Sequence, residues 1–128
     1  MKMFYIGKDG GVSSRVTGFW LVEIKNLFSI ALLHFDAGSR EAFHTHAFNS
    51  VSWLLRGGLV EKFTDGRTRF HRASFKPIIT RRYDFHQVHG LTGLNLVLTF
   101  RGPWVDKWQE YLPCENRSVT LTHGRVEV

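Results

Sequence analysis

With 128 residues, 43% of them hydrophobic, and with 11 Phe, 4 Trp and 3 Tyr to fill a core, the chain is the size of one folded domain, which excludes intrinsic disorder. The formal net charge of +6 attracts anions, but the aromatic-basic signatures of the common nucleic-acid-binding modules are absent. A single cysteine, Cys114, excludes an intrachain disulfide, and no apolar run approaches the roughly 20 residues of a membrane-spanning helix. We therefore expect one soluble, cytoplasmic domain that spans residues 1–128.

Short apolar and β-branched runs separated by Gly, Asp and Ser follow one another, without the 3.6-residue period of a helix. This pattern predicts an all-β fold. The predicted strands lie near 3–6 and at 19–24, 27–35, 42–47, 50–56, 59–64, around 74–79, at 86–89 and at 94–100. We interpret 104–111 as a strand or a single turn, and 118–128 as a final strand that can pair with a second subunit.

Glycine-containing pairs mark the turns of this predicted fold. Gly57-Gly58 and Asp65-Gly66 each predict a turn between antiparallel strands. Asp65-Gly66 is typical of a tight hairpin whose favoured turn type needs positive φ at both central residues. The spacing of these turns is that of a sandwich or a barrel.

His44 and His46 form the most informative pair of residues in the chain. On a strand, side chains at i and i+2 project to the same face, so both imidazoles can reach one metal ion without distortion of the backbone. A His-x-His pair in an arbitrary protein more often lies on the surface, so the surrounding sequence has to decide.

That surrounding sequence resembles the first motif of the cupin superfamily: a Gly, five residues, His-x-His, three or four residues, usually a Glu, then six residues and a Gly. Gly38, His44, His46 and Gly57 fit this spacing, and Ser50 stands where the Glu is expected. The chain also resembles a group of short bacterial and phage cupins over about residues 30–110. The residues that carry this second resemblance are Phe48, Ser52, 55–58, Glu61, 86–88, 101–103 and Trp108.

The resemblance implies a cupin-type jelly-roll barrel with one divalent transition metal (Fe, Mn, Zn or Ni) held by His44, His46 and His86. The second cupin motif is incomplete here, because Arg81 and Tyr83 replace its Pro and Gly, and His89 remains the rival third ligand. With Ser50 in place of the Glu, a three-histidine centre keeps open positions for water, O2 or substrate.

Several other residues are candidates for the surroundings of the metal. Asn49 and Glu61 are alternative ligands, although we expect Glu61 to point outward or to support a ligand. For substrate binding the candidates are Tyr83, Arg101 and Trp53; we expect His34 in the core or in the cavity wall, and His71 and His123 on the surface.

The basic stretch from Arg67 to Arg82 is interpreted first as a solvated face, then as a site for an anionic ligand, and last as a nucleic-acid surface. We expect a metal-dependent enzyme, such as a dioxygenase, isomerase or lyase, acting on a small anionic molecule. The alternative is a non-catalytic ligand-binding or sensor protein with a structural or vestigial metal. A nucleic-acid or protein binder with vestigial histidines is the third possibility, and a homodimer formed through edge strands is expected.

Overall fold

The computed structural model describes residues 2–9, 16–37, 45–82, 84–105, 108–112, 117–122 and 126–127. These residues form the strands β1 (Lys2–Lys8), β2 (Val16–Ile24), β3 (Phe28–Phe35), β4 (Ser50–Arg56), β5 (Gly58–Phe63), β6 (Thr68–Arg72), β7 (Ile78–Thr80), β8 (His86–Gly90), β9 (Asn95–Arg101), β10 (Trp108–Leu112), β11 (Arg117–Thr122) and β12 (Val126–Glu127). No helix occurs in the described ranges, so the predicted all-β class is confirmed.

Two antiparallel sheets enclose the core. One has six strands in the order β1-β2-β3-β9-β4-β7, and the other has three in the order β6-β5-β8. Side chains from both sheets, among them Trp20, Leu33, Leu54, Leu59 and Val97, form one buried apolar cluster. The strands β10, β11 and β12 form a further three-stranded antiparallel sheet.

The chain changes sheet at Gly57. Strand β4 belongs to the six-stranded sheet and β5 to the three-stranded one, so the predicted turn between paired antiparallel strands is wrong at this position. Gly57 has φ of 88°, and a Cβ here would collide with the Asn95 side chain and the Leu94 carbonyl. Glycine is therefore required at this crossover for both its backbone angle and its small size.

The hairpin at Asp65-Gly66 is confirmed, because it joins the antiparallel strands β5 and β6. Its turn type differs from the predicted one: the Gly66 amide donates to the Phe63 carbonyl (3.1 Å), and the Phe63 amide donates to the Arg67 carbonyl (2.9 Å). Gly66 has a positive φ of 92°, whereas Asp65 does not have a positive φ. The loop is thus three residues long, with glycine in the left-handed position.

The other predicted strands agree with the structure to different degrees. The prediction at 50–56 coincides with β4, and those at 59–64, 86–89 and 94–100 lie within a residue or so of β5, β8 and β9. The prediction at 42–47 is wrong where it can be tested, since residues 45–47 are not in a strand and 42–44 lie outside the described ranges. None of the described residues belongs to a helix long and apolar enough to cross a membrane.

Candidate functional site

The interior-facing side chains change from apolar to polar along the strands. The register pairs Leu54 with Val97 at the apolar end, and Ser50 with Arg101 at the polar end. On β5, Leu59 is followed on the inner face by Glu61. One end of the interior is therefore a hydrophobic core, and the other end is lined by groups that can do chemistry.

A cavity of about 470 Å³ lies between the two sheets. Its polar lining includes His46, Ser50, Glu61, His86 and Arg101. Cavities of this size are typical of small-molecule sites. We therefore take the polar end of the barrel as the candidate functional site.

Glu61 is the most heavily hydrogen-bonded carboxylate in this cavity. Only 3% of its surface is exposed. Its Oε2 lies 2.5 Å from His86 Nδ1, and its Oε1 lies 3.0 Å from His71 Nε2. Arg69 donates to the same Oε1 through Nε (3.1 Å) and a terminal guanidinium nitrogen (2.8 Å). Of the two roles predicted for Glu61, the outward orientation is wrong, and its hydrogen bond to His86 fits the other, which is to support a candidate ligand.

The electrostatics of this cluster fix the proton positions. Burial alone would raise the pKa of Glu61, but hydrogen bonds with His71, His86 and Arg69 more than offset it, so the pKa lies well below its usual range. An ionised carboxylate only accepts hydrogen bonds, so His86 Nδ1 and His71 Nε2 carry the protons. In a neutral His86 the other nitrogen, Nε2, then holds a lone pair that can bind a metal.

His46 lies beside His86 in the cavity. The centroids of the two rings are 4.9 Å apart, with the rings nearly perpendicular. The His46 amide donates to the Arg82 carbonyl (3.1 Å), which attaches this segment to the chain just before β8. His46 thus reaches the site from a non-strand segment, and His44 lies outside the described residues.

His86 and His89, the two rival third ligands, have different positions on β8. His86 is 4% exposed and lines the cavity. His89 is only partly buried and does not belong to the cavity lining. The difference follows from the alternation of side chains on a strand, because residues three apart project to opposite faces.

Of the three predicted substrate-binding residues, the structure places one in the cavity lining. Arg101 is 5% exposed, lines the cavity, and binds both carboxylate oxygens of Asp9 at 3.3 and 2.7 Å. Trp53 lies on the opposite face of β4, where its ring packs edge-on against Phe100 with centroids 5.8 Å apart, so it does not line the cavity. Tyr83 lies outside the described residues.

The remaining candidate residues have other roles. Asn49 accepts a hydrogen bond from the Arg82 amide (2.8 Å), and Ser50 lines the cavity. His34 is partly exposed, bonds to the Gly93 carbonyl (3.2 Å), and is not in the cavity wall. His123 lies outside the described residues.

The predictions missed His71, which we expected on the surface. Its side chain is only 16% exposed and it bonds to Glu61. The register of the hairpin between β5 and β6 would have indicated this contact. Glu61 pairs with Arg69, and His71 lies two residues further along the same face of β6. A correct turn length would have revealed this neighbour.

The described residues provide part of a possible metal site. Two imidazoles, those of His46 and His86, lie close together in the cavity, and the Glu61 hydrogen bond directs the His86 proton away from Nε2. Within the described ranges, no group of three or more His, Cys, Asp or Glu side chains is arranged to hold a metal. The third candidate, His44, is not among those residues.

Solved structures of similar shape identify the fold. A polyketide cyclase, RemF, from Streptomyces resistomycificus has a TM-score of 0.64 with 16% identity, over 80% of this chain and 79% of that chain. A cupin-superfamily sugar phosphate isomerase from Silicibacter pomeroyi has a TM-score of 0.62 with 13% identity, over 89% and 76%. An RmlC-like cupin from Shewanella frigidimarina has a TM-score of 0.57 with 21% identity, over 77% and 84%.

These similarities confirm the predicted cupin-type jelly-roll fold. At these levels of identity they establish the fold and not the reaction, since one fold hosts many activities. No protein-family model matches the sequence, and no curated protein matches it.

Proposed function

We propose that this cupin-fold protein binds one divalent transition metal through His44, His46 and His86, and uses it as an enzyme acting on a small anionic molecule. The hydrogen bond between Glu61 and His86 supports this proposal most strongly. Metal-binding histidines characteristically donate their other ring nitrogen to a carboxylate, which fixes the tautomer and the ring orientation. His86 has this arrangement inside a cavity, beside a second imidazole.

Ser50 determines what kind of centre this would be. It lines the cavity at the position where the cupin motif usually has a glutamate, and a neutral hydroxyl is a poor ligand for a divalent ion. A centre of three neutral imidazoles keeps the full charge of the metal and leaves coordination positions open. When bound, such a metal supplies Lewis acidity or activates water or O2.

The preference for an anionic molecule has a separate basis. Lys2, Lys25 and Arg101 line the cavity, opposed by Asp9, Glu23 and Glu61. Asp9 and Glu61 are already bound by Arg101 and by the cluster around His86, respectively. The lysines and the metal would therefore leave the cavity with an excess of positive charge.

Metal content tests the proposal directly. The protein is purified without a histidine tag, and its Fe, Mn, Zn and Ni are measured by elemental analysis. We expect close to one ion per chain, a sharp loss in each of His44→Ala, His46→Ala and His86→Ala, and retention in the matched control His89→Ala. Ser50→Ala should also retain the metal. Wild-type protein without metal, or loss in His89→Ala with retention in His86→Ala, would overturn the proposal.

We also propose that a second copy of the chain covers the outer face of the six-stranded sheet. One row of residues in register across all six strands is entirely apolar: Met3, Val22, Ile30, Phe100, Val51 and Ile79. Antiparallel sheets usually have one solvated face with polar side chains, and this face lacks them along that row.

The size of this face suits a dimer. Six strands about 4.8 Å apart, with about seven residues each, make a surface of roughly 600 Å². Each partner in a standard interface buries about 800 Å². Met3, Phe100 and Ile79 are 50%, 42% and 61% exposed in the single chain, which is unusual for side chains of this kind. We therefore propose face-to-face packing in place of the edge-strand pairing that the sequence suggested.

A further inference from the structure

A row of polar side chains crosses the inner face of the six-stranded sheet at the polar end of the cavity. Glu23 pairs with Ser29, Ser29 with Arg101, Arg101 with Ser50, and Ser50 with Thr80, on five consecutive strands. We call these five residues the polar row. A β-bulge between Trp20 and Val22 shifts β2 by one residue, and this shift places Glu23 on the inner face.

The polar row contains buried groups whose hydrogen bonds are incomplete. Arg101 and Ser29 are 5% and 1% exposed, yet Arg101 Nε and Ser29 Oγ make no hydrogen bond to any residue in the described ranges. The indole nitrogen of Trp20, which lines the same cavity, is likewise buried without such a partner. Buried polar atoms are nearly always bonded, so Arg101 Nε and the Trp20 indole nitrogen, whose residues line the cavity, need acceptor oxygens from a bound molecule or water; Ser29 is not part of the cavity lining.

We propose that the polar row binds a hydroxylated organic acid, with the acid group at the Nε of Arg101, whose terminal nitrogens bind Asp9, and the hydroxyl groups along Ser50 and Thr80. This inference rests on the proposed function only in sharing its cavity. Ser50, Thr80, Glu23 and Arg101 all line that cavity. Because Ser and Thr hydroxyls both donate and accept while a carboxylate only accepts, the row suits a ligand whose oxygens also do both.

Spacing supports hydroxyl recognition over recognition of the acid alone. Neighbouring strands lie about 4.8 Å apart, so the row presents a polar group at regular intervals along a small extended molecule. A plain alkyl acid would satisfy Arg101 but would place methylene groups against the hydroxyls of Ser50 and Thr80. Burying those hydroxyls without partners disfavours the plain acid.

Calorimetry with three six-carbon probes tests the inference. Gluconate has a carboxylate and hydroxyls, hexanoate has only the carboxylate, and sorbitol has only hydroxyls. We expect gluconate to bind at least about tenfold more tightly than either of the others, as the loss of two or more hydrogen bonds implies. Equal affinity for gluconate and hexanoate, or failure of gluconate to bind, overturns the inference.

The same titration, run beside elemental analysis of the purified protein, separates this inference from the proposed function. If the protein as purified carries no metal but still prefers gluconate to hexanoate, the metal centre is wrong and the polar row stands. If the protein retains metal but does not distinguish the two acids, the polar row is wrong and the metal centre stands.

A matched pair of threonine variants locates the contact. Thr80→Val removes a hydroxyl of the polar row with little change in shape, and it should weaken gluconate binding about fivefold. Thr68→Val is the control, because Thr68 is an exposed residue of β6 that does not line the cavity. It should leave the gluconate affinity within about twofold of the wild-type value. Unchanged gluconate binding in Thr80→Val, or an equal loss in Thr68→Val, overturns the assignment of Thr80.

Discussion

His86 Nδ1 donates a hydrogen bond to Glu61 Oε2 over 2.5 Å, and the two side chains are only 5% and 4% exposed. This pair connects the strands β5 and β8, whose register pairs Glu61 with Val88, two residues from His86 on the same strand. Arg69 and His71 hold the other carboxylate oxygen. The orientation of His86 in the cavity is therefore set by Glu61, which residues of β6 hold in place.

The first prediction concerns Glu61→Gln. Glutamine keeps the size and one acceptor oxygen but loses the charge that holds His86, His71 and Arg69 together. We expect the affinity for Mn²⁺ or Zn²⁺ to fall about tenfold, as is usual when a carboxylate that supports a ligating histidine is altered. Competition with a chelating dye measures it.

The matched control is Glu23→Gln. Glu23 is also a buried carboxylate, 7% exposed, but it accepts its hydrogen bond from the Tyr5 hydroxyl (2.9 Å). This variant should leave the metal affinity unchanged within about twofold. Equal losses in both variants would show a general effect of buried charge and contradict the positioning role of Glu61.

A second prediction concerns Asn95, which is fully buried. Its side chain accepts from the Gly58 amide (2.9 Å) and donates to the carbonyls of Phe35 and Thr92, both at 2.8 Å. Asn95→Ala leaves these backbone groups unpaired, and we expect the free energy of unfolding to fall by about 3 kcal/mol. Urea denaturation checks this, with the exposed Asn26→Ala expected to stay within about 0.5 kcal/mol of the wild type.

The third prediction concerns the alkaline stability of the fold. Burial, together with the hydrogen bond to Glu23 and the negative charge of that residue, raises the pKa of Tyr5. A pKa that is higher in the folded state stabilises the fold below the unfolded value of about 10, and this contribution is lost as the pH rises above it. Between pH 9 and 11, wild type should lose more unfolding free energy than Tyr5→Phe. Urea denaturation at each pH measures this free energy. Equal losses in the wild type and in Tyr5→Phe would contradict the prediction.

A fourth prediction tests the apolar outer face. Phe100→Lys places a charge in the middle of the six-stranded sheet, on the side away from the cavity. In sedimentation experiments at high micromolar concentration, we expect wild type to be a dimer and this variant a monomer. The control is Phe70→Lys, which changes an exposed phenylalanine (75%) on the other sheet and should remain a dimer. A monomeric wild type would contradict the proposed dimer.

The sequence predicted most of the strands because alternation and turn residues are local signals. The bounds of β4 coincide with the prediction, and the resemblance to the cupin motif identified the fold that the solved structures confirm. The partners of Glu61 were not predicted. A two-residue turn at Asp65-Gly66 would have paired Glu61 with Phe70, whereas the three-residue turn pairs it with Arg69. A shift of one residue exchanges the two faces of a strand, so this turn concealed the cluster.

Trp53 shows a second limit of reasoning from sequence. Along β4, Ser50, Ser52 and Leu54 face the interior, while Val51 and Trp53 face outward. The larger apolar set is therefore on the outside, the reverse of the usual pattern for a half-buried strand. The inner serines belong to a polar cavity, and the outer face suits a protein partner. Alternation alone cannot distinguish this arrangement from its opposite.

An anomalous-diffraction map of crystals grown with Mn²⁺ or Zn²⁺ shows whether His86 and His46 bind the same metal ion. We expect one strong peak about 2.1 Å from His86 Nε2, within bonding distance of a His46 ring nitrogen and of His44, with Glu61 still bonded to Nδ1. A peak bound by Glu61 itself or by His89, or a cavity without any peak in metal-saturated crystals, would contradict this expectation.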